Sequence, residues 1–181
     1  MPRFDALTLT STGGLLNVLI SDCEACAAFD PASVPTNQRP PLEPFKALWD
    51  TGATNSVVSQ DVITKCALKP TGMKQVHGIQ GFELAETFLI NIVLPNKVTF
   101  FNVEVTRGKL LGAHVLIGMD IITTGDLSIT NLGQRTVFSF RVPSIAVVDF
   151  VKQANAPSFQ HGSKHKHKKR PAKQFGKNKR R

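Results

Sequence analysis

The chain has 181 residues, 41% of them apolar, and a formal charge of +9. That length fits one domain with appendages. Residues 164–181 hold ten Lys or Arg and no acid, whereas residues 1–163 hold twelve basic and thirteen acidic side chains, a net charge of −1, which argues against a basic folded body built to bind nucleic acid.

The N-terminal Met-Pro-Arg-Phe-Asp is polar and mixed, unlike a signal peptide. No apolar run approaches the length of a membrane span, so a soluble, cytoplasmic protein without a membrane partner is expected. Leu7 and Leu9 fall on one face of a period-2 pattern, Ser11-Thr12-Gly13-Gly14 reads as a turn, and Leu15 to Ile20 as a second strand of the same hairpin. Residues 21–41 lose periodicity and hold four prolines, so 21–44 is read as a loop or insertion. Cys23-Glu24-Ala25-Cys26 has the spacing of a zinc knuckle or redox pair. Cys66 and scattered histidines supply no second knuckle, and the two cysteines read as small residues in that loop.

A strand is expected from Phe45 to Trp49. Ser59 to Cys66 reads as a short helix, with Ser59 as N-cap and Val62 and Ile63 on its buried side. An extended arm follows from Leu68 to Val76, then a glycine-bounded turn at His77-Gly78-Ile79-Gln80-Gly81. Phe82 to Val93 and Val98 to Val105 form a hairpin around Leu94-Pro95-Asn96-Lys97. Ala113 to Gly118 is a short apolar strand, and Met119 to Asp126 a short helix closed by Gly125. Leu127 to Asn131 and Thr136 to Val142 are the last strands. The fold class is all-β, a closed or orthogonal sheet rather than a βαβ fold.

Asp50 carries the chemistry. It follows the apolar Ala47-Leu48-Trp49 and opens Asp50-Thr51-Gly52-Ala53, so a buried strand delivers one carboxylate into a tight turn. Such a carboxylate must be paired, hydrogen-bonded or protonated. Thr51 supplies a hydroxyl, and Gly52 lets backbone N–H groups approach. An ordinary Asp opening a β-turn is the plain alternative. Catalysis needs a second carboxylate in hydrogen-bonding reach. Two such groups share one proton and hold a water between them; the ionised oxygen takes the water's proton, and the protonated partner donates to the peptide carbonyl. That scheme needs no metal, cofactor or covalent intermediate. Asp61, Asp120 and Asp126 sit in helix-start or peripheral contexts, so the economical partner is Asp50 of a second copy across a two-fold axis.

Ala47-Leu48-Trp49-Asp50-Thr51-Gly52-Ala53-Thr54 resembles the catalytic segment of the retroviral-type (retropepsin-like) aspartic proteases. His77 to Phe82 lies where that family has its glycine-rich flap, and Val115 to Ile122 is similar to its second apolar strand, glycine and helix. The pattern is closest to cellular bacterial members. The resemblance implies a small closed barrel-like fold over residues 1–150, a homodimer, and hydrolysis of peptide or protein substrates. It implies Asp50, Thr51 and Gly52 as catalytic residues, with Thr51 bonding across the dimer. Ala53, Thr54, Gly78, Ile79, Gly81, Leu116 and Ile117 would bind substrate, and Gly118 would pack against the catalytic loop. The viral enzymes pair an acid just after Asp-Thr-Gly-Ala with an Arg after the later glycine. Here Thr54 and Met119 occupy those places, leaving Asp120 to organise the region through backbone or Thr54 contacts. The viral enzymes dimerise through a terminal sheet, for which Arg3 to Thr10 and either Leu127 to Asn131 or Thr136 to Val142 are candidates. A non-catalytic protein- or RNA-binding module on the same fold is the competing reading.

Residues 151–181 form a basic tail, disordered by composition. Its polycation from residue 161 has three competing uses: a solubilising appendage, phosphate contacts to nucleic acid or ribosomes, or anionic lipid.

Overall fold

The computed structural model describes residues 5–78 and 81–156. The chain divides into two compact units, Met1–Ala146 and Val147–Arg181. In the second, helix α3 (Phe150–Asn155) is capped by Asp149, whose carboxylate accepts from the Lys152 N–H at 3.0 Å. The basic run that follows lies outside the described residues.

The first unit is built on strands β1 (Asp5–Thr10), β2 (Leu19–Ala27), β3 (Glu43–Trp49) and β4 (Val57–Val58), with helix α1 (Gln60–Lys65). They are followed by β5 (Gly72–Gly78), β6 (Gly81–Val93), β7 (Thr99–Arg107) and β8 (Val115–Ile117). Helix α2 (Met119–Ile122), β9 (Asp126–Thr130) and β10 (Val137–Val142) complete it. Seven strands run in the order β2-β3-β8-β4-β7-β6-β5, and β2 also pairs with β6. The second pairing closes a ring of six strands, leaving β5 attached outside it. This is the expected all-β, closed barrel-like architecture. A separate sheet has the order β1-β10-β9, so all three candidate terminal strands lie side by side.

Trp49 joins the two sheets. It ends β3 with its ring 5.0 Å from that of Phe138 and 4.9 Å from that of Phe140, both on β10. Its indole Nε1 donates to the Ser21 hydroxyl at 2.9 Å, so the buried ring keeps a partner for its one polar atom. Leu7 completes this apolar layer from β1.

Two expectations are overturned. The first strand does not form a hairpin with its successor: β1 pairs antiparallel with β10, Leu7 opposite Phe140 and Leu9 opposite Phe138. Residues 15–18 are not strand. Hydrogen bonds hold the segment against the start of β10: Ser11 N–H to the Thr136 carbonyl and Leu16 N–H to the Thr136 hydroxyl, each 2.9 Å. Residues 21–27 are also not loop but the body of β2, leaving 28–42 irregular. The strand was masked because its inward residues, Ser21, Cys23 and Ala25, are small rather than strongly apolar. Asp22 and Glu24 face outward or half outward. Cys23 and Cys26 are therefore strand residues. Elsewhere Ser59 does precede α1, but its hydroxyl makes no cap bond and has no partner.

All three cysteines are free and buried. Burial pushes the Cys23 thiol up to about 12 and the Cys66 thiol up to about 11, and raises that of Cys26. Since the thiolate is the nucleophile, iodoacetamide at pH 8 should leave all three unmodified in the native protein and label all three in guanidinium. Mass spectrometry before and after unfolding checks this, and native labelling would contradict the burial.

Asp126 at the start of β9 gathers the end of the first unit. Its carboxylate accepts from Ser144 Oγ, from Arg141 Nε at 2.7 Å and from the Ile145 N–H at 3.0 Å. The Ser144 bond leads, with the Ile145 and Arg141 bonds, in holding its pKa well below the usual carboxylate range. A depressed pKa stabilises the folded state above the unfolded carboxylate's value, and that contribution is lost as pH falls through the folded value. Amide protection at Ile145 should therefore persist through mild acid, weaken in strong acid, and be absent at all pH in Asp126→Ala, which removes the acceptor.

Candidate active site

Asp50 is positioned by strand pairing. β3 runs parallel to β8, with Leu48 opposite Leu116 and Trp49 opposite Ile117, and the Asp50 N–H extends the ladder to the Ile117 carbonyl at 3.0 Å. β4 lies antiparallel on β8, with Val57 opposite Leu116. Both ends of the 50–56 turn are thus fixed to one strand.

The turn is also fixed from below by the start of α2. The Met119 N–H donates to the Ala53 carbonyl at 2.8 Å, and the Asp120 N–H to the Thr54 carbonyl at 3.2 Å. Between them sits Gly118, where a Cβ would lie 2.7 Å from the Asn55 carbonyl carbon and oxygen and 3.0 Å from the Ala53 oxygen. No side chain fits that approach. Ser56 is fully buried. Its hydroxyl donates to Asp120 Oδ1 at 2.9 Å and accepts from the Gly118 N–H at 3.2 Å. Asp120 Oδ2 accepts from the Ser56 N–H, and Oδ1 from its neighbour Ile121 N–H, each at 3.0 Å. Asp120 thus organises the region, but its side chain acts through Ser56, and Thr54 contributes only its carbonyl. Ser56 is the residue that sequence reasoning passed over; a lone serine in a polar turn gives no signal of its own.

The Asp50 carboxylate is half-buried, and its Oδ1 accepts from the Gly52 N–H at 2.8 Å. The interaction fixes the carboxylate over the turn. Thr51 and Gly52 are exposed. Gly52, Ala53 and Thr54 line one wall of a cleft of about 520 Å³. The opposite wall comes from the β5–β6 hairpin, including Lys74, Val76, His77 and Glu83, and the end from Thr106 to Leu110. The hairpin ladder runs from Gly72–Thr87 to Gly78–Gly81, with the His77 and Phe82 rings 4.4 Å apart near its tip. Ile79 lies outside the described residues. Among the described residues, Gly81, Leu116 and Ile117 do not line the cleft, and neither do Asp50 and Thr51, whose turn reaches it through Gly52 to Asn55. Leu116 is half-buried, while Ile117 is wholly buried and belongs to the core beneath the turn. Among the described residues, no group of three or more His, Cys, Asp or Glu is placed to hold a metal ion.

Residues 42–124 match the family model of the gag-polyprotein putative aspartyl proteases. This stretch of the chain is similar to that family. It contains the Asp50 turn, the flap-like hairpin and the β8–α2 segment that binds the turn. Among solved structures, a retropepsin-like aspartic protease from Rickettsia conorii is similar at 13% identity, covering 78% of this chain and 98% of that one with a TM-score of 0.45. Simian foamy virus (mac) protease is similar at 15% identity, covering 57% of this chain and 91% of that one with a TM-score of 0.37. No curated protein matches the chain.

The wiring beneath the turn should be costly to cut. Ser56→Ala leaves Asp120 and the Gly118 N–H short of a partner in a buried place and should destabilise by about 1–3 kcal/mol. Gly118→Ala forces the turn off α2 and should cost about 1–3 kcal/mol. Chemical denaturation of both variants and the double variant checks this. Because the two residues touch, the double loss should be smaller than the sum.

Proposed function

We propose that this chain is an aspartic endopeptidase that acts as a homodimer, with the Asp50 carboxylates of two copies facing each other across a two-fold axis. The observation that supports this best is the Asp50 turn itself: one half-buried carboxylate, fixed by the Gly52 N–H and held on β8 and α2. So rigid a mount for a single acid suits a group that must meet a symmetry mate at hydrogen-bonding distance.

In this reading the two carboxylates share a proton, because like charges that close do not both ionise. A water between them loses a proton to the ionised oxygen as it attacks the peptide carbonyl. The protonated oxygen donates to that carbonyl and the departing amine then takes a proton. Thr51, exposed in the single chain, bonds across the dimer and keeps the carboxylates coplanar. Gly52, Ala53 and Thr54 align the substrate backbone. Gly78, Ile79 and Gly81 close the hairpin tip over it and exclude water. Leu116 and Ile117 back the turn from beneath. Residues 1–150 carry this activity, and 151–181 are a separate basic appendage.

Asp50→Asn should lower the cleavage rate by roughly 10²–10⁴-fold or more while the thermal transition stays near wild type. Chelators should have no effect, and wild-type activity should rise at mildly acidic pH. Cleavage by Asp50→Asn at the wild-type rate, or a monomer at micromolar concentration that still cleaves, would sink the mechanism.

A further inference from the structure

The cleft beside the Asp50 turn has an unequal set of charges. Lys74, Arg107 and Lys109 line it, against one acid, Glu83. Its turn-side wall, Gly52 to Asn55, is uncharged. Two of the cations have carboxylate partners: Lys74 Nζ lies 2.9 Å from Glu104 and Arg107 Nη1 lies 3.1 Å from Glu86. Neither Glu104 nor Glu86 lines the cleft. An ammonium has three donors and a guanidinium five, so each cation can keep its partner and still take a ligand carboxylate. Lys109 is exposed and has no ion pair among the described residues. Its neighbour Gly108 is tied to the catalytic side of the barrel, donating its N–H to the Val58 carbonyl at 3.0 Å. A bound anion would meet three cations, one of them uncompensated. A bound cation would find only Glu83 and be repelled by the others.

We propose that this cleft selects peptide segments carrying an acidic side chain near the bond to be cut, with Lys109 as the principal specificity residue and Lys74 and Arg107 in support. The inference rests on the reading of the Asp50 cleft as a peptide site and adds the chemical class of its substrate. The contributing groups are partly to largely exposed, 40% for the Lys74 side chain and 50% for Arg107, so each pair adds little and salt weakens it. Selectivity comes from summing over three cations.

The test uses full-length protein and three peptides, identical except for Glu, Gln or Lys at one position two to four residues from a scissile Phe–Leu bond, each position scanned in turn. Binding is measured on Asp50→Asn by fluorescence anisotropy, and cleavage on wild type. At low salt the order Glu > Gln > Lys is expected at one position at least, spanning about tenfold in Kd and in kcat/KM. The spread should shrink at high salt. Lys109→Glu should erase or reverse the order, and Lys109→Gln should reduce it; the position is exposed, so both variants should leave the fold intact. Binding in that order without cleavage by wild type would sustain the specificity and sink the protease reading. Cleavage with no charge order, or an order that Lys109→Glu leaves unchanged, would overturn the specificity and leave the protease reading standing. No binding and no cleavage of any peptide would overturn both.

Discussion

The rest of the site depends on a buried hydrogen-bonded junction between Ser56, Gly118 and Asp120. A tight turn carrying a carboxylate has few side chains of its own with which to hold its shape. Here it is held from outside. Ser56 spends its hydroxyl on both Asp120 and the Gly118 N–H, and Asp120 returns bonds to the Ser56 and Ile121 backbones. With every polar atom at the contact engaged, the low local dielectric strengthens the junction. The same low dielectric makes a partial loss expensive. The half-buried carboxylate of Asp120 is met here by several hydrogen-bond donors rather than by a second charge.

That junction has to rest on something stiff, which is what the barrel provides. β8 is only three residues long, yet it is flanked by β3 on one side and β4 on the other, and its valine and isoleucine are wholly buried. The closing pair, β2 with β6, removes the edge that β2 would otherwise present. Trp49 then carries the constraint to the second sheet. It lies one residue before Asp50, and its ring is gripped by Phe138 and Phe140. The backbone that enters the turn is therefore fixed on both edges of its strand, by β2 and β8, and through the Trp49 ring, before any hydrogen bond of the turn is counted.

Much of this was legible from residue order. Asp50-Thr51-Gly52, the glycine-bounded hairpin and Leu116-Ile117-Gly118 each announce themselves through strong local chemistry, and so do the alternating strands around them. What was not legible had non-local causes. β1 pairs with β10, more than a hundred residues away, whereas turn chemistry favours the adjacent strand. β2 hides its period because a crowded barrel interior selects Ser21, Cys23 and Ala25 for their size. Ser56 and Asp120 are unremarkable until the fold brings them within 3 Å. Ile117, within the Leu116-Ile117-Gly118 motif, is wholly buried in the core beneath the turn.

Charge separates two roles in the same cleft. The turn-side wall, Gly52 to Asn55, carries no charged side chain. The cations stand on the far wall and at the end, on β5 and on and after β7, where they are partly solvated. Placed next to Asp50 they would favour its ionised form and work against a shared proton. Carried on other elements and partly solvated, they can attract a ligand while adding no charge to the turn itself. The separation follows from topology. β3 and β4 bring the turn to β8, while the cations come from β5 and the β7 end, so sequence changes at Lys74, Arg107 or Lys109 can alter what is bound without disturbing the junction under Asp50.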